Sequence, residues 1–211
     1  MIDILGQALI ETFQMVVFST LFSLAIGFIL AIALIVTSEG GFRPNKVIYK
    51  TLDTVINILR SFPFIILIVF LIPLTKLIMG TFIGPTAVIV PLTIGTSPFV
   101  ARIIEGALKE VDPGVIEAAK SFGASNTQII FKVMIKEAVP SIISGITLTI
   151  ITIIGYSAMA GTVGGGGLGD AAIRYGFHRF QTDVMVVTVL ILVIVVQVFQ
   201  SLGNYFYKKL R

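Results

Sequence analysis

An all-α membrane protein with five transmembrane helices, in a single domain over residues 1–211, is predicted by three observations. Hydrophobic residues make up 56% of the chain and charged residues only 12%, about half the share of a soluble domain. The mean hydropathy is +1.03. Long charge-free runs alternate with short polar ones, and one polar island, DPGVIEAAKSFGASNTQIIFKVMIKEAVP from Asp112 to Pro140, carries helix signals of its own. With no cysteine, disulfides, thiol chemistry and cysteine-based zinc ligation are excluded. The single histidine, His178, excludes a histidine-rich metal site.

The N-terminus MIDILGQALIETF has no basic n-region, so the first apolar run is expected to stay in the mature chain. That run is charge-free from Thr12 to Ser38, longer than the roughly 20 residues that cross a bilayer core. Ser19, Ser23, Gly27 and Ala31 recur every four residues and form a small-residue stripe for close helix packing. The second span, SFPFIILIVFLIPLT, is short. It is expected to borrow an amphipathic lead-in from Leu52 to Arg60, with Pro63 and Pro73 as bends and Arg60 snorkelling to the interface. Gly80, Gly84 and Pro85 predict a loop, and the third span is placed at about residues 86–104 with kinks near Pro91 and Pro98.

A fourth span is expected to begin close to Pro140 and to break at GTVGGGGLGD, before a polar, aromatic loop that reaches Asp183. The fifth lies between Asp183 and Lys208. Five crossings put the termini on opposite sides. Arg43, Lys46, Lys50, Arg60, Arg102, Lys109, Lys120, Lys132, Lys136, Lys208, Lys209 and Arg211 then share one face, against Lys76, Arg174 and Arg179 on the other. The positive-inside rule makes the larger set cytoplasmic, with the N-terminus outside, the C-terminus inside and the island in the cytoplasm.

Within the island, Asp112 caps a helix whose first position is Pro113 and which ends near Phe122. Gly123 suits the left-handed turn that follows, and Ser125 with Gln128 forms a capping box for the next helix. Spacing alone leaves two readings of the first helix: a docking surface around Glu117 and its small neighbours Ala118 and Ala119, or a helix lying on the bilayer. Gly164, Gly166 and Gly169 satisfy G-x-G-x-x-G, but they follow an apolar span and lack the Lys-Ser/Thr of a phosphate loop, so a flexible turn at the membrane surface is expected. No catalytic constellation stands out, and the predicted spans hold no interior Asp, Glu or Lys to relay protons. The basic residues flank apolar spans instead of forming a patch for nucleic acid. Tyr156, Ser157 and Met159, near the outer end of the fourth span, are candidates for a gate, with helix packing as the plain alternative.

Glu117-Ala118-Ala119, three residues, Gly123, nine more, and then Val133 and Ile135 resemble the EAA loop of binding-protein-dependent ABC importer permeases. Where that pattern ends in proline, this chain has Lys136, and the next proline is Pro140. RSFPFIILIVFLIPLTK, VPLTIGTSPFVAR and GYSAMAGTVGGGGLGD extend the resemblance, over nearly the whole chain, to permease subunits of methionine importers. The resemblance implies a type I importer permease fold whose coupling helix, carrying Glu117, Ala118, Ala119 and Gly123, docks on an ABC ATPase. It further implies a homodimer, two ATPase copies that bind ATP and magnesium in place of this chain, and a substrate-binding lipoprotein outside. A permease for another small amino acid, a self-powered carrier or channel, and a scaffold that recruits a cytoplasmic protein are the other readings.

Overall fold

In a computed structural model describing residues 2–210, the described residues are helical apart from short connecting turns. The helices are α1 (Ile2–Thr37), α2 (Lys46–Ser61), α3 (Phe64–Phe70), α4 (Ile72–Met79), α5 (Pro85–Lys109), α6 (Pro113–Ser121), α7 (Asn126–Gln128), α8 (Ile135–Ala160), α9 (Gly167–Ala171) and α10 (Thr182–Leu210). Four runs are long and apolar enough to cross a membrane: α1, α5, Asn126–Val163 and α10. A fifth is counted when the bent pair α2–α3 is taken as one broken span.

The α1–α5 pair is the most extensive in the bundle. The predicted stripe is its seam, since Ser19, Ser23, Gly27 and Ala31 are all buried, and a Cβ on Gly27 would run into Val100 and Ser97 of α5. Ser23 Oγ donates to the Thr93 carbonyl across the same seam at 3.3 Å. Removing side-chain bulk here lets two backbones approach where lipid provides no hydrophobic drive to hold helices together.

The second span differs from expectation. The axis turns by 105° between α2 and α3, so the amphipathic lead-in does not extend the crossing. The cause is Pro63, whose ring disfavours helical geometry at the residue before it, and Phe62 is extended at φ −73°, ψ 128°. Past the bend, α3 and α4 cover 16 residues from Phe64 to Met79, or about 24 Å at 1.5 Å per residue. Contacts fix the two ends of the α2–α4 segment. Tyr49 of α2 reaches Glu105 near the end of α5, and beyond α4 the Gly84 N–H donates to the Gly164 carbonyl at 2.9 Å on the opposite side of the bundle.

The fourth span also departs from prediction. It starts at Asn126, passes through π-helical turns over Ile129–Met134, and continues unbroken through Pro140 to Ala160. Neither Lys136 nor Pro140 ends a helix; the irregularity sits one turn earlier, where wider turns absorb the mismatch. α5 likewise runs unbroken through Pro91 and Pro98. Beyond Ala160 the expected flexible turn is replaced by packed structure, a 3₁₀ turn (Gly161–Val163) and α9, and the first part of the expected polar loop by π-helical turns over Ala172–Phe177, while His178–Gln181 remains an exposed turn before α10. A Cβ on Gly169 would meet backbone atoms of Ala158, and one on Gly161 those of Gly169 and Asp170. The glycines let α9 fold back against the end of α8 at backbone contact distance.

Candidate coupling surface and the two ends of the bundle

At one end of the bundle lies α6, which has no fully buried residue. The Asp112 carboxylate accepts the Gly114 N–H at 2.6 Å and Pro113 opens the first turn, so this short helix is capped by its own sequence. Gly123, at φ +77°, closes it, with its N–H donating to the Lys120 carbonyl and the Ala124 N–H to that of Ala119. The capping box at Ser125 follows as predicted: Gln128 N–H donates to Ser125 Oγ at 3.3 Å and the Gln128 side chain accepts the Ser125 N–H at 2.8 Å.

Ile116, Ala119 and Ala124 anchor α6 on a core built from α1, α5 and the π-helical turns. The opposite face carries Glu117, Ala118 and Val115, all exposed, and leads to Phe122, which is 91% exposed. The Glu117 carboxylate has no ion-pair or hydrogen-bond partner among the described residues. Phe122 was not singled out from sequence, although a large apolar residue at the helix end beside Gly123 in a polar island is a readable signal. A cleft of about 950 Å³ separates α6 from α2 and from the turn after α1, with Phe42, Tyr49, Lys109, Glu117 and Lys120 among its walls. α6 is therefore held along one edge only.

Beneath it lies a charge network that sequence reading did not identify. Glu105, 3% exposed, accepts from Arg102 Nη1 at 2.8 Å and from Lys109 Nζ at 2.7 Å, with the Tyr49 hydroxyl 3.4 Å away. The other Arg102 nitrogen, Nη2, pairs with Asp53 and donates to the Asn57 side chain at 3.0 Å. Glu105 falls one residue beyond the third span predicted from sequence, and inside α5. The signal was the i, i+3, i+7 spacing of Arg102, Glu105 and Lys109 on one helix face. Buried charge of this kind persists only when paired, and the pairing fastens α2 to α5.

At the opposite end α9 is closed against α1. Glu11 Oε2 of α1 accepts the Gly167 N–H and Thr12 Oγ1 accepts the Leu168 N–H, both at 2.8 Å, so α1 caps the start of α9 across 156 residues of sequence. These amides are satisfied within the chain and form no phosphate cradle. Of the gate candidates, Tyr156 stacks on Phe64 with ring centroids 4.2 Å apart, and Ser157 is buried with its hydroxyl on the Ile154 carbonyl. Met159 is 46% exposed on the surface of the chain. The three do not converge on one cavity.

Residues 23–211 match the family model of the binding-protein-dependent transport system inner membrane component. The chain is 52% identical over 202 residues to a probable D-methionine transport system permease protein of Vibrio cholerae, covering 96% of this chain and 90% of that one. It is 47% identical to the methionine import system permease protein of Bacillus subtilis over 171 residues, 81% of this chain and 77% of the relative. Its fold superimposes at a TM-score of 0.97 on a chain of the MetNI methionine ABC transporter solved in inward-facing conformations, at 42% identity over 100% of this chain and 98% of that one.

Proposed function

The chain belongs to the binding-protein-dependent transport system inner membrane components, and from that premise we propose that it is the permease of an ATP-driven methionine importer. The observation that carries this reading is α6. It is a self-capped, edge-held helix bearing Glu117-Ala118-Ala119 and Gly123, and it presents an unpartnered carboxylate and an exposed Phe122 outward. Two copies of the permease work with two copies of a cytoplasmic ABC ATPase, which binds ATP and magnesium, and with a substrate-binding lipoprotein on the far side. The N-terminus lies outside and α6 in the cytoplasm. The concentration of Arg43, Lys46, Lys50, Lys109, Lys120, Lys132 and Lys136 around the α6 end supports that orientation.

Closure of the ATPase pair moves α6, whose inner residues Ile116 and Ala119 press on α5 and on the π-helical turns that lead into α8. The displacement passes along α5 and α8 to the α9 end, where the exposed Met159 narrows the route between two protomers and Tyr156 and Ser157 brace it from within the protomer. The test is reconstitution with the ATPase and binding protein, and competition of labelled L-methionine uptake by a panel of amino acids. Methionine of either hand should compete best. Competition by unrelated amino acids alone would refute the substrate, and full uptake by Glu117→Lys would refute the role of α6.

A further inference from the structure

The face of α2 that points away from the bundle has no part in coupling or transport as described above. Tyr49, Leu52, Asp53 and Ile56 turn inward, with Ile56 fully buried. A second face exposes Val47, Ile48, Val55 and Ile58, each about half-exposed or more. Lys46 and Lys50 stand one turn apart beside it, Arg43 immediately precedes the helix and Arg60 ends it; all four are exposed. None has a carboxylate partner among the described residues, because Asp53, the sole acid between Arg43 and Arg60, is taken by Arg102. Lys46 and Lys50 also edge the cleft toward α6, whose walls include Glu39 and Glu117, but neither acid pairs with them, and the outward face of α2 carries no acid of its own. The helix also lies 105° from the direction of α3, along a membrane surface if α3 crosses it.

We infer that α2 is an interfacial helix that binds anionic phospholipid of the leaflet on the α6 side. Val47, Val55 and Ile58 enter the acyl boundary while Arg43, Lys46 and Lys50 hold phosphate headgroups. A soluble partner would match the cations but not the exposed branched apolar residues beside them. An apolar stripe edged with Lys and Arg is the pattern of a helix seated at the headgroup level. The ion-pair network through Arg102 and Glu105 gives the seat rigidity, since it fixes the inward face of α2 to α5.

The experiment uses the permease purified with its ATPase and measures phosphatidylglycerol and phosphatidylcholine retained after detergent washing, by native mass spectrometry. Wild type should keep phosphatidylglycerol selectively. Arg43→Gln/Lys46→Gln/Lys50→Gln should lose it by roughly fivefold for each cation neutralised, and raised salt should mimic the variant. Equal retention by wild type and variant overturns the proposal. So does loss of the ATPase from the variant in lipid-free detergent, which would make the cations a protein-docking surface. Because the chain lacks cysteine, Val47→Cys or Ile58→Cys also gives a clean crosslinking test; disulfides between two copies would identify the face as a subunit interface and refute the lipid assignment. Lipid retention is read on the resting complex, so its outcome is independent of which substrate is carried.

Discussion

Gly123 and Gly169 show how differently the two ends of the bundle use the same residue. Gly123 has φ +77° and open space where a Cβ would stand; Gly169 has an ordinary backbone angle but lies against the backbone of Ala158. The first shapes a chain reversal beneath an exposed helix, and the second permits two helices to touch. The same contrast runs through the neighbouring polar groups. Glu11 and Thr12 are engaged by backbone amides of α9, while Glu117 points to solvent with no partner among the described residues. At the α9 end these polar groups are satisfied within the chain, and at the α6 end the Glu117 carboxylate is not.

The sharpest break of this comparison is Gly169→Val. Backbone atoms of Ala158 cannot swing aside as a side chain could, so α9 must separate from α8 at a cost of about 3 kcal/mol or more. The expected outcome is poor yield and a markedly lower melting temperature in detergent; a melting temperature equal to wild type would show that the α8–α9 contact is looser than drawn. Next in size is Glu105→Ala, which leaves Arg102 and Lys109 without their shared carboxylate. Loss of a buried partner costs about 3–5 kcal/mol, and the low end applies because Lys109 keeps access to water. Glu105→Gln should recover part of this in the same melt, since it retains the shape and one acceptor. Equal melting of Glu105→Ala and wild type would remove the network as the fastener of α2.

The island was the most legible part of the sequence because its signals are local. Asp112, Pro113, Gly123, Ser125 and Gln128 each act within four residues, and the helix, turn and capping box follow. The α1 stripe was legible for the same reason, as a periodic pattern on one helix. What failed was tertiary. The glycine run looks like a loop by composition, but its role is set by Ala158, Glu11 and Thr12, which composition cannot bring together. The amphipathic stretch before Pro63 looked like the missing length of a short span, and the proline's effect on Phe62 turned it across the bundle instead. Glu105 escaped notice because a carboxylate just outside an apolar run reads as solvated until its burial is known.

Gly123→Ala should have a smaller effect, about 1–2 kcal/mol from left-handed strain with no clash, and Gly123→Asn, which tolerates that geometry, should lie nearer wild type. If alanine is as damaging here as valine is at Gly169, the two glycines are not doing different jobs. The smallest effect on folding is expected at Phe122. Its ring is 91% exposed and touches little within the chain, so Phe122→Ala should change the melting temperature by an amount equivalent to no more than about 0.5 kcal/mol. An aromatic side chain held out beside a helix end is nevertheless the type of residue that dominates binding when a partner encloses it. Phe122→Ala should therefore weaken association with the ATPase by about tenfold or more, measured by titrating one subunit against the other in detergent. A variant that melts and associates like wild type would leave Glu117 as the main contact on this face; one that melts normally and fails to associate would show that this end of the bundle holds its stability and its binding in separate residues.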